Sequence, residues 1–130
     1  NNKIIKSRQH WLRFDFQNVW KNLDKIGIKE DYTLGFNDYI GFRNSSAISF
    51  KPLNFNNGKN LDINSIPLVL MDSHLYDYYQ LDQNQIFKSI SRIVNEVNLV
   101  GGEVSIVWHQ RVFSKDYNWN NGFNYLINKL

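Results

Sequence analysis

The chain has no cysteine among its 130 residues. That removes disulfides, thiolate nucleophiles and thiolate metal sites together. The compartment stays open, because reduced and oxidising locations both allow cysteine-free chains; cytoplasm and bacterial cell envelope are the two expectations. No apolar run approaches the roughly 20 residues that cross a bilayer, so no membrane span is expected, and no signal peptide is visible. Charge of one sign is also scarce. The net +3 comes from 15 basic and 12 acidic residues, scattered without a Lys/Arg run, which argues against a nucleic-acid partner. There is no initiator Met before Asn1, which suggests a fragment or a processed product. Familiar catalytic signatures are absent too. Gly101-Gly102 precedes a strand pattern rather than a helix, the wrong order for a phosphate loop. No Gly-x-Ser-x-Gly elbow occurs, and His10, His74 and His109 lack any local metal-ligand spacing.

What is present is a chain rich enough in apolar (42%) and aromatic (15%) residues to bury one core. Residues 4–8 predict a short strand. Phe16, Val19, Trp20, Leu23 and Ile26 recur at helical spacing over 16–26, with Asp15 as cap and Gly27 as stop. Residues 28–36 predict a second strand, with Tyr32, Leu34 and Phe36 alternating against Asp31, Thr33 and Gly35. The stretch 37–65 is polar and punctuated by Gly41, Pro52 and Gly58. A connection that long is usually functional or holds small irregular elements. Residues 66–71 predict a third strand that stops at Asp72, with Pro67 near its start where no ladder donor is needed. Residues 83–100 carry the clearest helix, with Ile86, Ile90, Ile93, Val94 and Val97 on one stripe and a capping box from Asp82 and Gln85. Residues 103–109 predict a fourth, buried strand ending on His109. Phe123, Leu126, Ile127 and Leu130 mark a last helix.

Strands alternating with helices predict an α/β fold with about four parallel strands and helices outside. In parallel sheets chemistry gathers at the C-terminal strand ends. The candidates there are His109, a possible general acid or base because histidine ordinarily titrates near neutrality, and Asp72, which could orient an imidazole or bind sugar hydroxyls. Their bland alternatives are a histidine packed beside Trp108 and a carboxylate that caps a turn. Arg8 and His10 flank the first strand end. His74 follows Asp72 by two residues, a weak metal pattern. Asp31, Asp38 and Arg43 belong to the second strand and its loop, with a structural Arg–Asp pair as the alternative. Tyr76, Tyr78, Tyr79, Tyr117 and Trp119 lie in loops after strand ends, where aromatic rings stack on sugars or tie down their own loops. Four parallel strands leave open edges, so the chain is either a small open sheet or part of a larger barrel.

Several segments, in order and similarly spaced, resemble the polysaccharide deacetylase-like family: Ser7-Arg8-Gln9-His10-Trp11-Leu12-Arg13-Phe14, Gly27 to Phe36, Gly41-Phe42-Arg43, Pro67-Leu68-Val69-Leu70-Met71-Asp72, and Trp108-His109-Gln110. The resemblance covers nearly the whole chain. It implies a distorted (β/α) barrel of which residues 1–130 form the C-terminal part, without the N-terminal, metal-binding part. It implies removal of acetyl groups from an N-acetylated polysaccharide, with zinc or another divalent cation held in the complete domain by an aspartate and two histidines. No metal ligand is expected on this chain alone, which would then work only beside an N-terminal half from the same or a separate chain. By the resemblance, His109 protonates the leaving amine and Arg8 orients the base. Either Asp31 or Asp72 supports His109: chain order favours the first, strand-end position the second. Arg43, Trp108, His10 and His74 would contact substrate. The chain departs from the family at Asn44 to Phe50, at His74 and at Gln110. The alternative is a non-catalytic carbohydrate-binding or interaction module on a degenerate version of the fold.

Overall fold

A computed structural model describes residues 3–115 and 117–130, with the side chains of Val112 and Phe113 left aside; Asn1 and Asn2, where the chain opens, lie outside. The fold is mixed α/β with small parallel sheets. In chain order the strands are β1 (Lys6–Ser7), β2 (Glu30–Asp31), β3 (Leu53–Asn54), β4 (Lys59–Asn60), β5 (Asn64–Ser65), β6 (Leu68–Met71) and β7 (Ser105–Val107). The helices are α1 (Val19–Lys25), α2 (Gln83–Val100) and α3 (Asn120–Ile127). None of them is long and apolar enough to cross a membrane among the described residues.

β1, β2 and β5 pair in parallel, with Lys6 beside Glu30 beside Asn64 and Ser7 beside Asp31 beside Ser65. β6 and β7 pair in parallel through Leu68–Ser105, Leu70–Ile106 and Met71–Val107. Only Ile66 and Pro67 separate β5 from β6. The Ile66 N–H donates to the Asp31 carbonyl at 2.9 Å and the Leu68 N–H to the Leu34 carbonyl at 2.9 Å, so the second strand's chain stays beside β6. Pro67 has no N–H to give, and its carbonyl accepts from Ser105 at 2.7 Å. The chain after β2 therefore runs beside β6, next to the separate β1–β2–β5 and β6–β7 sheets. Among the described residues β1 and β7 each pair on one side only.

The second strand differs from its expected alternation. Asp31, Thr33, Leu34 and Gly35 are all buried, whereas Tyr32 and Phe36 are half-buried. The polar positions tolerate burial because they bond one another: Thr33 Oγ1 donates to Asp31, and the Trp20 indole N–H donates to Asp31 at 3.0 Å. Gly35 is required by packing, since a Cβ there would stand 2.7 Å from the Leu68 carbonyl oxygen.

α2 has the reciprocal capping box. Asp82 accepts from the Gln85 N–H at 2.8 Å, and Gln85 accepts from the Asp82 N–H at 2.9 Å. Its stripe of Ile86, Ile90, Ile93 and Val94 packs on Val69, Leu70, Leu75 and Leu126, forming the main core between β6, α2 and α3. A second cluster of Trp20, Leu23, Ile28, Leu34, Leu61 and Ile63 seats α1. α1 is shorter than expected, because Asp15 bonds the Gln17 N–H and the Asn18 side chain and holds that segment as a turn. The stretch 37–65 contains the antiparallel β3–β4 hairpin and then β5. A small third cluster of Leu12, Leu68, Met71 and Val107 joins the end of the first strand to β6 and β7.

Candidate functional site

β6 is buried along its whole length, and Asp72 follows it directly. The β6–β7 register sets Met71 beside Val107, which brings the residues after each strand into reach. Asp72 is fully buried, yet its carboxylate is satisfied three times. Oδ1 accepts from the Ser73 N–H at 2.7 Å and from His109 Nδ1 at 2.6 Å, and Oδ2 accepts from the His109 backbone N–H at 2.8 Å. A carboxylate can only accept, so Nδ1 carries its proton and Nε2 is the ring nitrogen left for other work. The His109 side chain is 44% exposed. The double grip on ring and main chain fixes both the tautomer and the orientation of the imidazole. An imidazole held this way accepts a proton at Nε2 when neutral and donates one when charged.

His109 opens onto a cleft of about 910 Å³ at the C-terminal strand ends. One wall comes from the end of the first strand, with Arg8, Gln9, His10 and Trp11. The floor includes Leu12, Met71 and Val107. Trp11 (φ 60°) and Leu12 (φ 49°) both adopt left-handed backbone, which costs a non-glycine residue about 1–2 kcal/mol. That turn drives Leu12 into the floor and leaves Trp11 72% exposed at the rim. It is anchored by the Gln9 N–H, which donates to Thr33 Oγ1 at 3.0 Å.

The remaining sequence candidates divide clearly. Trp108 borders the cleft, and its ring packs edge-on to Tyr76 and against Phe123. Gly122 lies under it; a Cβ there would run into the Tyr76 hydroxyl. Asp31 does not meet His109. Both of its oxygens are taken by Trp20 and Thr33 beside the α1 core, and burial raises its pKa. Asp72 is therefore the carboxylate that holds the histidine. His74 is not a cleft residue. It is fully buried, its Nδ1 accepts from the Met71 N–H at 3.1 Å and its Nε2 meets the Phe36 carbonyl at 3.1 Å. With Nδ1 accepting, Nε2 carries the proton and donates to Phe36; burial lowers the pKa of the ring. Arg43 is also apart from the cleft. It donates to the Gly35 carbonyl at 3.1 Å and lies over the Phe14 and Phe16 rings.

Arg111 and Asp77 were missed by the sequence argument. Arg111 donates to Asp77 at 2.6 Å, and its guanidinium lies 4.6 Å from the Trp119 ring centre and 5.0 Å from that of Tyr117. Both residues line the cleft, with Tyr78. Proximity to His109 in an aromatic loop was the available signal. Among the described residues no three His, Cys, Asp or Glu side chains gather where they could hold a metal ion. Asp72 and His109 hold each other, and His74 is bonded to main chain, so these residues do not make a divalent-metal site by themselves. No family model, curated protein or solved structure compared with the chain matches it.

Proposed function

We propose that the chain forms the C-terminal part of a (β/α) barrel like that of the polysaccharide deacetylases, and that His109 is its general acid. The observation that carries this reading is the Asp72–His109 pair, with Nε2 facing a cleft at the ends of parallel strands. In hydrolysis of an N-acetyl group, a protonated His109 gives its Nε2 proton to the sugar nitrogen as the C–N bond breaks. Buried Asp72 keeps the imidazolium oriented and offsets its charge. General acid catalysis of this kind contributes about 10²–10⁴ in rate. Arg8 faces the same cleft. Among the described residues β1 and β7 each pair on one side, which supports further staves supplied by an N-terminal half, in the same or a separate chain. The zinc or other divalent cation of such a domain would be held there, and none of the steps given to His109 and Asp72 passes through it. The substrate is an N-acetylated polysaccharide.

Trp11 at the rim favours a second reading, a carbohydrate-binding module without catalysis, since exposed indole faces suit sugar rings. Amine release from an N-acetylglucosamine oligomer separates the two. The chain is combined with an N-terminal half and zinc. Release is the expected result; binding without release supports the module.

A further inference from the structure

We infer that the cleft takes an acidic saccharide, one bearing a carboxylate close to the group acted on, and that Arg8 and Arg111 read that carboxylate. The inference rests on the saccharide reading above and narrows its substrate class. The two arginines come from the edge strands of two small sheets, Arg8 from the end of β1 and Arg111 from the turn after β7, and both line the cleft that His109 faces. The carboxylates nearby are already committed. Asp72 is buried against His109, and Asp77 is bonded to Arg111. No other Asp or Glu lines the cleft among the described residues. Arg8 is exposed and has no ion-pair partner among them, so its charge is the uncompensated one. His10 and His109 add to the same sign whenever they are protonated.

Arg111 contributes direction rather than net charge. One amino group is held by Asp77, Nε is buried, and the guanidinium lies over the Trp119 and Tyr117 rings, so little side-chain freedom is lost when the other amino group donates to a ligand. A guanidinium is a planar fork matched to a carboxylate. The free fork of Arg8 and the remaining amino group of Arg111, lining the same cleft as His109, favour an anionic sugar over a neutral one.

The test uses the full chain and two tetrasaccharides of equal length, one of N-acetylglucosamine alone and one alternating N-acetylglucosamine with glucuronate. Binding is followed by tryptophan fluorescence. At about 20 mM NaCl the acidic sugar is expected to bind at least about tenfold tighter, an advantage that shrinks to about threefold or less near 500 mM as screening rises. Arg8→Gln, and separately Arg111→Lys, which keeps the charge and loses the amino group that Asp77 and the two rings hold in place, should each weaken acidic binding about tenfold and neutral binding less than about twofold. Circular dichroism establishes that each variant is folded. Equal affinities, or an acidic preference that survives both substitutions, overturn the inference and leave the saccharide reading standing. Binding of neither sugar overturns both.

Discussion

Asp31, at the end of β2, and Asp72, directly after β6, are both wholly buried carboxylates, yet only Asp72 reaches an imidazole. Asp31 accepts from Trp20 and Thr33 instead. The two aspartates therefore respond differently to the same substitution.

Asp72→Asn places an amide NH₂ where at least one of three N–H donors needs an acceptor. Stability should fall by about 3 kcal/mol, as for a lost buried bond to a charged group, read from the urea midpoint. Nitrogen-15 spectra should show His109 with its proton on Nδ1 in the parent and a mixture of tautomers in the variant. An unchanged tautomer would mean that Asp72 does not set the ring.

Asp31→Asn is expected to be neutral or slightly stabilising near pH 7. Burial raises the pKa of Asp31, so its ionised form costs stability above the folded value, and that cost is relieved as pH falls through it. The asparagine removes the charge; its oxygen accepts from the Trp20 indole and its NH₂ donates to Thr33 Oγ1 once that hydroxyl turns. Asp31→Ala strands both, and should cost about 2–3 kcal/mol. Equal losses for the two variants would contradict this account.

His74 acts in the opposite sense. Burial lowers its pKa, so the unfolded chain takes up a proton first. Its contribution is intact above about pH 6.5 and is lost as pH falls from there towards the folded value, with a slope of up to about 1.4 kcal/mol per pH unit. His74→Gln should flatten that part of the stability–pH curve, measured by denaturant titration between about pH 5 and 7. A slope equal to that of the parent would exclude His74 as its source.

Trp11 carries a left-handed φ of 60° with most of its ring in solvent. Trp11→Gly should therefore raise stability by about 0.5–1 kcal/mol while weakening sugar binding. A loss above about 1 kcal/mol would show that the indole is packed more than its exposure implies.

The strand segments and the α2 helix were legible because their signals are local: apolar runs ending at polar residues, and a cap three residues from its partner. The choice between Asp31 and Asp72 was not. It depends on the Met71–Val107 register and on an indole eleven residues before Asp31, both properties of packing. His74 looked like a site residue because a histidine beside an aspartate reads the same whether it faces a cleft or the backbone of Phe36. Arg111 was overlooked because its partner, Asp77, lies 34 residues away.

The most direct measurement is amine release by the chain, combined with the proposed N-terminal half and zinc, bearing His109→Gln, Asp72→Asn or both. If Asp72 acts through His109, each single variant and the double variant should lose a similar factor, about 10²–10⁴. A His109→Gln enzyme that keeps the parent rate would contradict the account.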